Sequence, residues 1–410
     1  MSKSKITDRS QDWSKVRAQF PFFKNNPGAI FFDSASTTQK PESVLRAESR
    51  FYRRECSNAG RASYANSTRT SARIESARAA VARFINGNAE DIVFTSGATE
   101  SLNTVALAWG LKNLEDGDEI MVCMQDHKSA VRPWLNLQEL LARFGKTINI
   151  VPFGIHKEGD YELADIRNGL SPRTRLIALV HVHHVYGMDM EVETIRDIVG
   201  GDVLLSLDAS QSIAHRQIDL NKLKVDFLSF SGHKMFAMNG SGVLWVSPRC
   251  RNMLTSIKPG GGYAEQNSLQ ALLESGTPNI PAVLSLESAI AFIEKLGMER
   301  IETRLHELTR TLYKEIKDIP GINFSPGYGL CGCPQGFGIL SFCFDQASTS
   351  DLAFALDAEN IMLRSGDHCQ TKSLDEGGGN EPQYLRASLQ IYNTEEEIKE
   401  LAQVLRHLVG

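Results

Sequence analysis

Between about residue 70 and residue 247 the chain alternates helical periodicity with short β-rich runs, and this alternation restricts the fold more than any other feature. Ile74, Ala77, Val81 and Phe84 recur at helical spacing and mark one buried helix face. The pattern predicts strands at 91–95, 119–124, 147–153, 175–181, 203–207, 227–229 and 242–246, with a helix over about 98–113. Strands that alternate with helices form a mostly parallel sheet covered on both faces, so the expected class is α/β. Open sheets of this kind bind ligands beyond the carboxyl ends of their strands. The chemistry-bearing residues fall there: Ser96-Gly97-Ala98-Thr99, His181 to Gly187, Asp208, and Ser231 to Lys234.

After about residue 280 the texture changes. Ile301, Leu305, Leu308, Leu312 and Ile316 predict a long amphipathic helix. A Gly-rich stretch at 327–338 precedes an expected strand at 339–344, and Thr394 with Glu397 forms a capping box at the start of the last helix. The expected organisation is an N-terminal segment (1–20) packing with the small domain, a large domain (21–280) and a smaller C-terminal α/β domain (281–410).

Composition narrows the function classes. A net charge of -5 creates no long-range field for nucleic acid or an anionic membrane, so a small-molecule substrate is expected. The start is polar without an apolar core, which predicts no secretory signal. No apolar run reaches the length of a membrane span. Seven scattered cysteines, an odd number, fit reduced thiols in a cytoplasm better than a disulfide framework. Cys331-Gly-Cys333 reads as two free thiols beside a turn, because no second Cys/His pair lies close in sequence. A zinc site from His181, His183 and His184 is disfavoured, since successive strand side chains face opposite ways, and no metal is expected.

The strand ends carry a set of groups that suits pyridoxal 5′-phosphate (PLP). That chemistry needs an imine-forming lysine, an acid beside the pyridine nitrogen, phosphate donors and a cation for the substrate carboxylate. Asp208 closes a hydrophobic strand, Gln211 follows, and Lys234 comes 26 residues after Asp208 at the end of Ser231-Gly-His-Lys234. Thr95-Ser-Gly-Ala-Thr99 joins a strand to a helix, where free N–H groups and the helix dipole favour a phosphate.

These residues resemble the class V aminotransferase-like, fold-type I PLP enzymes, most closely the cysteine desulfurase and selenocysteine lyase family. The likeness runs from Phe31-Phe-Asp-Ser-Ala-Ser-Thr-Thr-Gln-Lys-Pro41 to Ile391-Tyr-Asn-Thr-Glu-Glu-Glu-Ile398, through Ser231-Gly-His-Lys234, Arg364-Ser-Gly-Asp-His-Cys369 and Arg386-Ala-Ser388. The resemblance implies a large domain with a seven-stranded sheet and a homodimer acting on L-cysteine or a close analogue. By position it implies Lys234 as the Schiff-base lysine, Asp208 at the pyridinium and Gln211 at the phenolic oxygen. Ala98, Thr99, Ser231 and His233 would hold the phosphate, with Thr277 from the other subunit. His127 would stack on the ring, although the family's local spacing allows another register. Arg386, with Arg364, His184 and Ala35, would form the substrate site.

Cys369 would attack the substrate sulfur, keep it as a persulfide and pass it to an acceptor protein. Arg364, and His368 when protonated, would favour its thiolate. Turn-forming residues, including Gly366 and Gly377–Gly379, suggest a mobile loop around it. Three positions depart from the family pattern. His184 replaces the usual Asn and brings a ring that titrates near neutral pH. Tyr64 stands where a His is common, and Asp367 stands where another His is usual, a carboxylate that would oppose thiolate formation. These departures keep open a C–S or selenocysteine lyase, or an aminotransferase on a specialised substrate. A non-catalytic sulfur-relay subunit is disfavoured by the joint presence of Lys234, Asp208 and Arg386.

Overall fold

The computed structural model describes residues 12–60, 63–260, 268–328, 336–370 and 383–410. In chain order the strands are β1 (Ile30–Phe31), β2 (Ile92–Thr95), β3 (Glu119–Cys123), β4 (Asn149–Phe153), β5 (Thr174–Val180), β6 (Leu204–Asp208), β7 (Phe227–Ser231) and β8 (Gly242–Val246), followed by β9 (Ile322–Phe324), β10 (Ile339–Phe344), β11 (Ile361–Met362), β12 (Arg364–Gly366) and β13 (Tyr384–Ser388). The seven predicted strands of the first part all form, with ends shifted by two residues at most. They make one sheet in the order β2-β8-β7-β6-β5-β3-β4.

Six of these strands point the same way, and β8 alone is reversed, antiparallel to both of its neighbours, β2 and β7. The reversal has a chain-length cause. Only a short 3₁₀ turn and loop separate Ser231 from Gly242, too little chain for the helical crossover that a parallel partner requires. Ser231 therefore ends a strand instead of opening a surface loop, which carries the Lys234 turn onto the sheet edge. A Cβ on Gly242 would run into the Gly97 backbone, so this glycine permits the β2–β8 approach beside that edge.

The expected helix Ala98–Asn113 forms as read, and Ile74, Ala77, Val81 and Phe84 are buried on the helix Ala65–Phe84. A second sheet, β12-β13-β10-β9, is antiparallel and comes wholly from residues after 320. The helix Met298–Ile316 covers it, with Ile301, Leu305, Leu308, Leu312 and Ile316 all buried. Thr394 and Glu397 form the predicted capping box. Fully buried side chains such as Leu305 and Ile398 each contribute roughly 1.5–3 kcal/mol. One apolar cluster joins helices of both sheets, running in sequence from Val16 to Leu405.

The segment after β1 links the two sheets: Asp33 bridges Ser388 at the end of β13, and the Ala35 N–H donates to Ser388 Oγ at 2.9 Å. Cys331-Gly-Cys333, Gly377–Gly379 and residues 1–11 of the N-terminal segment lie outside the described residues. No helix among the described residues is long and apolar enough to cross a membrane.

Candidate active site

The carboxyl ends of β5, β6 and β7 open onto a cavity of about 240 Å³. Its lining includes Lys234, Asp208, Gln211, Ala98, Thr99, Ser231, His233, His127, His184, Arg386, Arg364 and Ala35, so the structure gathers twelve of the predicted site residues in one place. Each arrives through its local sequence. Asp208 is the last residue of a fully buried strand, and its Oδ1 accepts from the Ser210 N–H at 2.9 Å. Ser231 ends the adjacent strand, and its hydroxyl accepts from the Ala98 N–H at 2.8 Å at the start of a 16-residue helix. The Gly97 N-cap provides no side-chain cap there, which leaves that helix terminus receptive to an anion.

Burial governs the charges in the cavity. It lowers the Lys234 amine to about 8, with Asp208 pulling it up and Arg386 and Arg364 pushing it down. The same desolvation, reinforced by Lys234, Arg364 and Arg386, lowers His127 to about 3. The His184 ring packs edge-on against His127 with centroids 5.0 Å apart, and neither of its nitrogens has a hydrogen-bond partner. Burial, then the neighbouring His183 and His127, hold it well below the ordinary histidine value. The expectation of a ring titrating near neutral pH is thus corrected: His184 offers one donor and one acceptor as a neutral imidazole. Behind it, His183 Nδ1 accepts from the Val185 and Tyr186 N–H groups at 3.3 and 3.2 Å, which fixes this turn.

The other wall comes from the second sheet. Arg386, 2% exposed, pairs with Asp33 at 3.1 Å and donates to Ser36 Oγ at 2.9 Å and to the His184 carbonyl at 3.0 Å. Its Nε is buried without a partner. Burial lowers its pKa to about 10, against the pull of Asp33, and it remains cationic.

Arg364 donates to Cys369 Sγ at 3.1 Å. Cys369 itself is half-buried and is not part of the cavity lining, which its neighbours Arg364 and His368 reach. His368 and Cys369 both have left-handed backbone, with φ of 49° and 66°, a conformation that costs about 1 kcal/mol or more per non-glycine residue. Three contacts hold it: Asp367 Oδ1 accepts from the Cys369 N–H at 3.0 Å, the Cys369 carbonyl accepts from the Lys128 N–H at 2.8 Å, and Lys128 pairs with Asp367 at 3.0 Å.

Two further expectations change. Burial, with Arg386 nearby, lowers His368 to about 3, so it brings no positive charge to Cys369 and that role falls to Arg364. The Asp367 carboxylate is already engaged by Lys128 and by the Cys369 N–H. His127 lines the cavity. Thr277 lines a separate cavity with Ser96, Glu100 and Lys258. Tyr64 is 54% exposed at the start of its helix.

Asp33, Ser36, Ser129 and Ser210 were missed as site residues. Asp33 and Ser36 sit in the segment Phe31–Pro41 already singled out, but nothing in sequence showed that it would lie against β13.

Comparison with known proteins gives a consistent result. Residues 30–401 match the family described as Aminotransferase class-V. A probable cysteine desulfurase of Xylella fastidiosa is 32% identical over 98% of this chain and 97% of its own. Among solved structures, the apo cysteine desulfurase of Thermococcus onnurineus superposes with a TM-score of 0.87 at 29% identity, covering 100% of this chain and 99% of that one. The cysteine desulfurase CsdA of Escherichia coli superposes with a TM-score of 0.86 at 27% identity over 97% of this chain and 98% of its own.

Proposed function

We propose that this chain, which belongs to the aminotransferase class-V family, is a PLP-dependent cysteine desulfurase that takes sulfur from L-cysteine onto Cys369 and releases alanine. Arg364 carries the reading: it lines the cavity that holds the Lys234 amine and donates to the Cys369 sulfur at 3.1 Å, so one side chain links the amine site to the thiol.

The lining fits the cofactor. Ser210 Oγ, both His184 ring nitrogens and Arg386 Nε are buried without partners beside the cavity, the complement a polar, anionic ligand needs. Lys234 would hold the cofactor covalently, Asp208 would face its pyridinium, Gln211 its phenolic oxygen and His127 its ring. The helix start at Ala98 and Thr99, with Ser231 and His233, would hold the phosphate. When bound, PLP supplies an electron sink that labilises bonds at the substrate's Cα and Cβ.

The chain's own residues supply the remaining steps. Arg386, preset by Asp33 and Ser36, takes the substrate carboxylate. The Lys234 amine, which burial lowers to about 8, moves the proton at Cα. The Arg364 guanidinium stabilises the Cys369 thiolate, which attacks the substrate sulfur. An S–S bond forms, the Cβ–S bond breaks, and its electron pair stays with the carbon skeleton, which gains a proton at Cβ and leaves as alanine. Cys369 retains the persulfide until an acceptor protein takes it.

The reading includes a homodimer in which Thr277 of one copy reaches the other's phosphate site, a cofactor domain over 21–280, a small domain over 281–410 carrying Cys369, and a cytoplasmic location. The test follows sulfur: incubation with L-cysteine should yield alanine and a persulfide that maps to Cys369. Pyruvate and ammonia without persulfide would replace this reading with a C–S lyase.

A further inference from the structure

A lysine outside the described cavity converges on the peptide that carries Lys234. The 3₁₀ turn Gly232–Lys234 is too short to use the His233 carbonyl within itself, so that oxygen needs partners from elsewhere. The segment after β1 provides four donors: the Thr38 N–H at 3.0 Å, Thr38 Oγ1 at 3.1 Å, Thr37 Oγ1 at 3.2 Å and Lys40 Nζ at 3.0 Å. Four donors thus crowd a carbonyl with two lone pairs, and Lys40 is the one among them that can carry a charge, which strengthens its bond when protonated. Thr38 Oγ1 also accepts from the Phe236 N–H at 2.9 Å, so the segment grips the chain on both sides of Lys234.

Lys40 is placed for this task and for no other visible one. Its remaining contacts are the Thr38 carbonyl and Thr37 Oγ1, both uncharged, and it has no carboxylate partner among the described residues. Burial alone lowers its amine to about 7. A desolvated ammonium without an anion is a cost to folding. A half-buried lysine bonded only to uncharged oxygens, one of them the backbone carbonyl one residue before the reactive amine, is explained by what it holds.

Resting on the PLP reading above, we propose that Lys40 is a positioning residue for Lys234: through the His233 carbonyl it fixes the peptide plane from which the reactive amine projects. It touches neither substrate nor cofactor. Its loss lets the 3₁₀ turn rotate about the His233–Lys234 peptide, which moves the amine away from imine distance and the His233 ring away from the phosphate.

The experiment uses apoprotein and added PLP, and reads imine formation by visible absorbance and borohydride trapping, the pH midpoint of the imine spectrum, and the melting temperature. Lys40→Met is expected to form the imine about ten- to a hundredfold more slowly and with a displaced pH midpoint. Lys40→Arg, which keeps a cationic donor, is expected to recover most of the rate. Lys40→Met protein with the parental rate and midpoint overturns the proposal, even if its melting temperature falls. Should Lys40→Met not fold, Thr37→Val removes one donor from the same carbonyl; a smaller slowing in the same direction supports the proposal and an unchanged rate overturns it. Parent protein with no trappable imine on Lys234 is a separate result: it removes the PLP reading, and the Lys40 assignment with it.

Discussion

The two walls of the cavity are built by different rules. The sheet-edge wall consists of residues at the ends of buried parallel strands, Asp208 and Ser231 among them, held by backbone N–H groups of the same sheet-and-helix layer: Ser210 two residues after Asp208, and Ala98 at the start of the helix beside Ser231. The C-terminal wall consists of Arg364, Arg386 and the Cys369 turn, held by contacts with residues hundreds of positions distant, such as Asp33 and Lys128. On the function proposed above, the first wall would carry the amine chemistry and the second would select the substrate and receive the sulfur. Reactivity would then rest on buried strand ends and specificity on a turn with left-handed backbone at His368 and Cys369.

The comparison can be broken most directly at Lys234. Lys234→Ala should abolish the trappable imine and reduce turnover by about 10⁶-fold. Visible absorbance with borohydride trapping checks this, and an adduct on another lysine would unseat the sheet-edge wall as the chemical centre. Cys369→Ala addresses the opposite wall. It should keep the coloured cofactor complex yet lose persulfide and alanine formation by about a thousandfold. Loss of colour in that variant would mean the walls are not separable.

Smaller effects sharpen the division. Arg386→Lys keeps the charge and loses the fork that pairs with Asp33 and Ser36. It should raise KM for L-cysteine by about tenfold or more with little change in imine formation. On the sheet-edge side, the neutral fraction of the Lys234 amine grows as pH rises through about 8, well before that of an ordinary lysine. Asp208 raises that value, so Asp208→Asn should move the pH midpoint of apoprotein labelling by an aldehyde downward by about one unit. An upward shift would contradict the assigned coupling. The smallest effect is expected at His184. Burial keeps its ring neutral, so His184→Asn should leave the shape of the pH–rate profile near neutrality unchanged. Disappearance of an acid limb would show that the ring titrates.

The same division explains what could be read from sequence. The strand ends were legible because Asp208 and Ser231 follow hydrophobic runs whose length and flanks fix the element, and the resemblance then supplied roles. The antiparallel direction of β8 was also available from the short Ser231–Gly242 connection, although alternation by itself gave only a mostly parallel sheet. The contacts of the C-terminal wall were not legible. Asp33 and Arg386 form an ion pair 353 positions apart, which no local pattern encodes. The charge states of His184 and His368 also escaped, because a ring's environment is set by tertiary burial and not by its neighbours in the chain. Lys40 stood inside a recognised segment, but nothing in sequence placed its amine against the His233 carbonyl.

The turn that presents Cys369 is tied by backbone to the turn that presents His127, through the His127–Gln370 bridge and the Lys128 N–H bond to the Cys369 carbonyl. The cavity-lining ring of His127 and the Cys369 thiol therefore travel as one piece of hardware. An engineer who transplants the Cys369 loop from a relative must bring the 125–129 turn with it. Transplanting the loop alone would leave it without its mooring and His127 without the backbone neighbour that fixes its turn.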